Sequence, residues 1–171
     1  ANRIGHGMFT APQLKAFLAE ETGYQAIQGT KPQTLAYGLT DSPAGLAAWI
    51  MEKVRKWSDC NGDPESILTK DELLTNITIY WASGAIGSSF WPYYARMHGP
   101  WPVPEGARIE VPTAYIEFPT EILRPPRSLA ETVYNIQRWT KAARGGHFAA
   151  LEQPQTLAED LRAFFRPLRN H

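Results

Sequence analysis

The sequence predicts an α/β fold that is mostly helical and holds about two core strands. Helix patterns predominate before a proline-rich linker at Pro100, Pro102 and Pro104. After the linker, β-branched and aromatic residues form two buried runs with a short helix between them. We therefore divide the chain into a helical region, residues 1–104, and a core region, residues 105–171, which carries the last strands and helices.

The first helices follow from their N-terminal signals. Thr10-Ala11-Pro12-Gln13 predicts a helix that ends near Gly23, since glutamine stands in the capping-box position. Residues 24–41 contain two glycines and a proline and predict a long irregular connection. Ser42-Pro43 predicts a second helix to about Trp57, with serine as the N-cap and proline as the first helical residue.

Two further helices are predicted beyond the turn signal Asn61-Gly62-Asp63-Pro64. Thr69-Lys70-Asp71-Glu72 is a capping box before the apolar run from Leu73 to Trp81. The β-branched residues of that run would also suit a strand, but the cap favours a buried helix. Residues 88–97 predict another helix, interrupted at Pro92.

The core region predicts strand, helix, strand and helix. The strands are the runs 109–116 and 134–143, and Ser128-Leu129-Ala130-Glu131 is a capping box that opens the helix between them. Thr156-Leu157-Ala158-Glu159 predicts the cap of a terminal helix. The residues of that helix expected to face inward are Leu157, Leu161, Phe164 and Phe165. Two strands do not make a doubly wound sheet, so we expect further strands before residue 1 or from another chain.

Composition excludes several classes of function. The chain has 171 residues and balances 17 basic against 17 acidic side chains, which predicts neither nucleic-acid nor anionic-membrane binding. Cys60 is the single cysteine, so no intramolecular disulfide forms, and we expect a soluble cytoplasmic protein without a membrane span. His6, His98 and His171 lack metal-ligand spacing and no glycine-rich phosphate loop is present, so we expect no metal and no cofactor.

The segment Arg144-Gly145-Gly146-His147-Phe148 carries the strongest chemical signal. Two glycines allow positive φ and close backbone approach, so His147 can lie on a sharp loop with its ring in a cleft. Histidine suits proton transfer near neutral pH. The alternative is a histidine that only fills a turn.

Glu121 is the candidate acidic partner. It follows the first predicted strand, and His147 follows the second. Adjacent parallel strands would place the two loops side by side, where a carboxylate would fix the tautomer of the imidazole and stabilise its protonated form. Glu117 is the main rival, and either glutamate could instead be a solvated loop charge. A nucleophile elbow of the Gly-x-Ser-x-Gly type does not occur in the sequence.

Several ordered blocks resemble the microsomal-type epoxide hydrolases of the α/β-hydrolase superfamily. They are Thr22-Gly23-Tyr24-Gln25-Ala26-Ile27-Gln28-Gly29-Thr30-Lys31-Pro32-Gln33-Thr34, Asp41-Ser42-Pro43-Ala44-Gly45-Leu46-Ala47-Ala48-Trp49-Ile50, Leu73-Leu74-Thr75-Asn76 with Tyr80-Trp81, Phe118-Pro119-x-Glu121, and Gly145-Gly146-His147-Phe148-Ala149-Ala150. The likeness covers roughly residues 22–166 and implies the C-terminal portion of an α/β-hydrolase fold with a helical lid, residues 1–104.

The resemblance also implies a reaction and a set of site residues. That family opens epoxides with an aspartate nucleophile, hydrolyses the resulting ester with a histidine base and its acidic partner, and holds the epoxide oxygen with two lid tyrosines. The matching residues are His147, Glu121, Tyr24 and Tyr93, with Tyr94 an open alternative to Tyr93. The implied substrates are a small apolar epoxide and water, in a detoxifying role.

The nucleophile and its oxyanion loop have no counterpart in the sequence, so the resemblance implies that the N-terminal half of the same fold is a partner of this chain and that the chain alone is inactive. The oligomeric state is left open, and a homodimer is one alternative. The alternative functions are another α/β hydrolase, either an esterase or a haloalkane dehalogenase, and a non-catalytic truncated fragment. Tyr37, Tyr80, Tyr115 and Tyr134 are predicted to be packing residues.

Overall fold

The structure, a computed structural model, describes residues 11–170 and divides into two compact units. Among the described residues, the first unit comprises 11–52 together with Thr69–Pro102, and the second comprises Lys53–Leu68 together with 103–170. Residues 53–68, which the predicted boundary at 104 placed in the helical region, therefore lie in the second unit. Thr10, in the first predicted capping signal, and His6 and His171 lie outside the described residues.

The first unit is helical. Its helices are α1 (Ala11–Glu20), α2 (Gly23–Thr30), α3 (Pro32–Asp41), α4 (Pro43–Trp57), α5 (Lys70–Ser83), α6 (Ile86–Ser89) and α7 (Trp91–His98), and α4 continues into the second unit from Lys53. Its core is a cluster of buried apolar side chains: Ala36, Leu39, Leu46, Ile77, Ile86 and Phe90. No helix within residues 11–170 is long and apolar enough to cross a membrane.

Residues 24–41 are helical, so the predicted irregular connection is wrong. Pro32 stands at the start of α3, where its fixed φ suits a helix and its missing N–H costs nothing. Gly29 lies inside α2, where a Cβ would come within 2.7 Å of Met97 Cε. The proline therefore marks the beginning of a helix, and a Cβ at Gly29 would meet the flexible end of the Met97 side chain. Tyr37, predicted to pack, is 75% exposed.

Two predicted caps are confirmed in this unit. The Ser42 hydroxyl accepts the Gly45 N–H at 3.0 Å, at the start of α4. Thr69 and Glu72 form both bonds of a capping box at α5. The apolar run from Leu73 to Trp81 is therefore a helix and not a strand. Only one side of α5 is buried, because Leu73 and Ile77 are covered whereas Ile79 is 61% exposed.

The second unit holds a two-stranded parallel sheet. Its elements are β1 (Ile109–Glu117), α8 (Arg127–Ala130), β2 (Tyr134–Lys141), α9 (Ala149–Glu152), α10 (Pro154–Phe165) and the 3₁₀ turns Pro64–Ser66 and Pro167–Asn170. The strands pair in parallel from Ile109↔Tyr134 to Glu117↔Lys141, as expected, with register shifts after Ile109 and Thr113. Since parallel strands end at the same edge, the chain after Glu117 and the chain after Lys141 emerge side by side.

Two predicted capping boxes are wrong. Helix α8 begins at Arg127 after Pro126, so Ser128 lies inside it. Helix α10 begins at Pro154 after Gln153, so Thr156 also lies inside the helix. In α10 the proline stands at the first helical position, where its φ is already suitable, and the helix begins before the threonine.

Helix α10 packs through a polar residue as well as an apolar face. Asp160 is buried and accepts hydrogen bonds from Arg138 Nε and Thr140 Oγ1 of β2, each at 2.7 Å. Leu161 and Phe165, predicted to face inward, are each 48% exposed. The buried carboxylate is therefore paired, as a buried charge must be, and it ties α10 to the sheet.

Candidate functional site

The loops after the two strands bring an imidazole and a carboxylate into contact. His147 Nδ1 lies 2.8 Å from Glu121 Oε1, and the two side chains are 39% and 25% exposed. With Nδ1 protonated, the ring donates to the carboxylate and presents Nε2 as the proton acceptor. Of the two glutamates that the sequence left open, Glu121 makes this contact, whereas the Glu117 carbonyl extends the sheet by accepting the Ala142 N–H at 2.9 Å.

The electrostatics of Glu121 favour its ionised form. Partial burial by itself would raise the pKa of this carboxyl. The hydrogen bond and charge of His147, together with the backbone N–H groups of Ile122 and Leu123, outweigh burial and hold the pKa below its usual value. A carboxylate that stays ionised can both orient the imidazole and stabilise the imidazolium.

Each glycine before His147 is needed for a different reason. Gly145 has φ +108°, and a Cβ there would come within 2.8 Å of Phe118 Cδ1. A Cβ on Gly146 would come within 2.5 Å of the Trp57 carbonyl oxygen and 2.6 Å of Thr120 Oγ1. The loop can therefore pass closely against its neighbours only because these two side chains are absent.

Residues 57–59, at and just beyond the end of α4, hold the histidine loop. The His147 N–H donates to the Trp57 carbonyl at 2.9 Å, and the Gly145 N–H donates to Asp59 Oδ2 at 2.8 Å. Glu152 accepts the Asp59 N–H at 2.8 Å and the Phe148 N–H at 3.0 Å. We define these two acidic residues, Asp59 and Glu152, as the carboxylate clamp.

Further contacts fix the loop from the β1 side and through aromatic rings. The Gly145 carbonyl accepts the Thr120 N–H at 3.1 Å and its hydroxyl at 2.8 Å. The Trp57 and Phe148 rings each meet the His147 ring edge to face, with centroids 5.2 Å away. Sequence reasoning missed Trp57, Asp59, Thr120 and Glu152, because nothing local in the sequence connects them to the histidine.

The first unit contains a separate pair of aromatic hydroxyls. The Tyr24 ring of α2 and the Tyr93 ring of α7 meet edge to face, with centroids 5.7 Å apart. Burial raises the pKa of Tyr93, and so do the charge of Tyr24 and the hydrogen bond between the two side chains. Gln25 Nε2 donates to the Tyr24 hydroxyl oxygen at 2.8 Å. The Tyr93 phenol therefore remains protonated at neutral pH and available as a donor.

The structure distinguishes Tyr93 from Tyr94. Tyr94 stacks on His98, with centroids 4.0 Å apart, and meets Trp91 edge to face. Tyr93 is the residue that pairs with Tyr24. The predicted packing role of Tyr115 agrees with its ring contact to Trp139 at 4.3 Å.

Within residues 11–170, no group of three or more His, Cys, Asp and Glu side chains is placed to hold a metal ion. The arrangement can instead perform acid–base chemistry, because a histidine with an oriented carboxylate can take a proton from water, and a phenol can donate to a developing oxyanion.

In this chain the acid comes first and the histidine second, in loops that follow adjacent parallel strands. The acid and base of α/β hydrolases have the same arrangement. The mostly helical chain with two such strands is a C-terminal portion of that fold.

Comparison with known proteins finds similarity to epoxide hydrolases. No family model matches the chain. It is 43% identical over 158 residues to a putative epoxide hydrolase of Stigmatella aurantiaca (strain DW4/3-1), a match that covers 92% of this chain and 35% of that protein. It is 40% identical to epoxide hydrolase 1 of Sus scrofa, with 86% and 34% covered. The crystal structure of juvenile hormone epoxide hydrolase from the silkworm Bombyx mori superposes with a TM-score of 0.81 at 30% identity, over 95% of this chain and 40% of that one.

The chain is thus homologous to a C-terminal portion of the epoxide hydrolases. It spans 35% and 34% of the length of the two relatives from Stigmatella aurantiaca and Sus scrofa.

Proposed function

We propose that the protein to which this chain belongs is an epoxide hydrolase that converts an epoxide and water to a vicinal diol through an alkyl-enzyme ester. The observation that carries this proposal is the hydrogen-bonded pair Tyr24 and Tyr93. A histidine with a carboxylate serves many hydrolases, whereas two phenols suit an oxygen that leaves a ring carbon as an alkoxide.

In this reaction the tyrosines serve the first step. A carboxylate attacks an epoxide carbon and forms the ester, while a phenol donates its proton to the opened oxygen. Burial and mutual contact keep the Tyr93 hydroxyl protonated, so it can donate. The second phenol stabilises the charge by a further hydrogen bond.

His147 and Glu121 serve the second step. His147 Nε2 takes a proton from water, whose oxygen attacks the ester carbonyl and releases the diol. Glu121, 2.8 Å from Nδ1, keeps the ring in the required tautomer and stabilises the imidazolium. Its lowered pKa keeps it ionised at neutral pH.

The nucleophile is assigned to the N-terminal half of the same fold. The sequence contains no elbow of the Gly-x-Ser-x-Gly type or its variant with aspartate or cysteine. The proposed partner segment would supply an aspartate on such an elbow and the sheet strands that precede β1. A homodimer, a cytoplasmic location and a role in detoxification of small apolar epoxides belong to the same proposal.

His147→Gln in the complete protein tests the role of the histidine. The variant should still be alkylated by a small epoxide such as styrene oxide, and intact-mass spectrometry should find one substrate mass added to the protein. His98→Gln is the matched control, since His98 stacks on Tyr94 in α7, and it should turn over normally. Unchanged turnover by His147→Gln would refute the assignment.

Tyr24→Phe separates this function from an esterase or a haloalkane dehalogenase. Loss of the phenol should slow epoxide opening and spare the cleavage of a p-nitrophenyl ester. An equal loss of both activities would favour the other α/β hydrolases.

A further inference from the structure

The peptide groups on both sides of His147 are held by two carboxylates that do not belong to the proposed reacting groups. Asp59 Oδ2 accepts the Gly145 N–H at 2.8 Å on the N-terminal side. Glu152 Oε1 accepts the Phe148 N–H at 3.0 Å on the C-terminal side. Glu152 Oε2 accepts the Asp59 N–H at 2.8 Å, so the two acidic residues are themselves connected.

The chemistry of the clamp requires a carboxylate at position 152. Both oxygens of Glu152 accept a backbone N–H, and a glutamine of the same shape has only one oxygen that can accept. Asp59 uses its side chain as an acceptor and its own N–H as a donor, and it is partly buried. Hydrogen bonds to ionised acceptors are stronger than those between neutral groups.

We propose that Asp59 and Glu152 are positioning residues for His147, and that they set the direction from which its ring meets Glu121. The inference rests on the proposed function for its effect on the reaction, but the geometric effect exists in this chain independently of turnover. The His147 backbone has its own bond to Trp57, so the clamp fixes the residues that flank the histidine. A displaced imidazole would lose its 2.8 Å contact with Glu121 and with it the orientation that proton transfer needs.

The first test is hydrogen exchange and NMR on the complete protein to which this chain belongs. In the wild type, the amides of Gly145 and Phe148 should be protected from exchange although they lie at a loop. Glu152→Gln should raise the exchange rate of Phe148 or of Asp59 by about tenfold or more, because one charge-assisted bond is lost. The NMR resonance of the His147 Nδ1 proton is assigned by its disappearance in His147→Gln. In Glu152→Gln this resonance should weaken or shift.

Three further variants make the test specific. Asp59→Asn keeps an acceptor oxygen for Gly145 and should leave the Nδ1 resonance nearer to wild type than Asp59→Ala does. Glu131→Gln is the matched control, since Glu131 is exposed and pairs with Arg127 at 2.7 Å in α8. It should change neither the resonance nor the exchange rates.

The second test is kinetic and uses the complete protein. Glu152→Gln should slow hydrolysis of the alkyl-enzyme ester while the rate of alkylation and the KM stay within about twofold of wild type. Absence of an ester in every variant, including His147→Gln, would refute the proposed function and leave the exchange result to decide the clamp.

Three results would overturn the proposal. One is a Glu152→Gln variant whose Nδ1 resonance is unchanged and whose amide exchange rates lie within twofold of the wild type. Another is wild-type exchange at Gly145 and Phe148 as fast as in an open loop, a measurement that needs no substitution and so remains valid if a variant fails to fold. The third is normal ester hydrolysis in a Glu152→Gln variant whose loop amides exchange faster.

Discussion

Gly146→Ala is the substitution that the packing of the histidine loop resists most directly. An added Cβ would lie 2.5 Å from the Trp57 carbonyl oxygen, 2.6 Å from Thr120 Oγ1 and 3.1 Å from the Asp59 backbone nitrogen. The Thr120 hydroxyl can rotate away, but two of these three atoms belong to backbone. The loop or the end of α4 must therefore move by about 0.9 Å or more to restore an ordinary contact distance.

The energetic cost follows from that displacement. Forcing one carbon into a closely packed site costs about 1–3 kcal/mol. The movement also lengthens the bond from the His147 N–H to the Trp57 carbonyl, now 2.9 Å, and weakening one hydrogen bond adds about 0.5–1.5 kcal/mol. We expect a total loss of about 1.5–4.5 kcal/mol in the free energy of unfolding.

Urea unfolding followed by circular dichroism measures this loss, with Gly38→Ala as the matched control. Gly38 lies in α3, and a Cβ there meets nothing within 4 Å. That control should gain about 0.5–1 kcal/mol, because alanine is the better helix former. A Gly146→Ala protein as stable as the wild type, with an unchanged ring resonance of His147, would refute the close approach of the loop to residues 57–59.

Three further predictions concern titration and helix capping. Because the pKa of Glu121 is lower in the folded protein than in the unfolded chain, its ionisation stabilises the fold fully above about pH 4.5 and this contribution disappears as the pH falls through the folded pKa. Glu121→Gln should therefore flatten the acid side of a plot of unfolding free energy against pH, and an unchanged slope would contradict the pairing with His147. Tyr24→Phe should lower the pKa of Tyr93 towards its ordinary value, because the charge and the hydrogen bond of Tyr24 both raise that pKa in addition to burial. The pKa is measured by ¹³C NMR of the ring carbon that bears the hydroxyl. A pKa of Tyr93 that does not move would disprove the hydrogen bond. Thr69→Ala should cost about 1 kcal/mol in thermal unfolding through loss of the capping box, whereas Ser128→Ala at the falsely predicted box should stay within about 0.5 kcal/mol. A loss below about 0.5 kcal/mol for Thr69→Ala would contradict the capping box.

The contact between Glu121 and His147 was predictable because it depends on strand order alone. Once two adjacent strands are parallel, the residues after their carboxyl ends must meet at one edge. The carboxylate clamp was not predictable in this way. Asp59 follows a helix and resembles any polar turn residue, and its bond to Gly145 joins positions 86 residues apart.

The capping signals show where local reasoning succeeds and fails. Thr69 was recognised because no proline competes with it for the start of α5. Pro154 begins α10 before Thr156 can cap it, and Pro32 begins α3 inside a segment predicted to be irregular. In both places the fixed φ of proline decides the boundary.

The anchoring of the histidine loop to residues 57–59 has a consequence for the order of folding. The bonds from Asp59 to Gly145 and to Glu152 close segments of 86 and 93 residues, whereas the Glu121 bond to His147 closes only 26. Closing a longer segment costs more chain entropy and delays the contacts that depend on it. During synthesis, Asp59 leaves the ribosome long before either of its loop partners exists. We therefore expect the sheet and the Glu121–His147 contact to form first, and the histidine to reach its final orientation only in the last stage of folding.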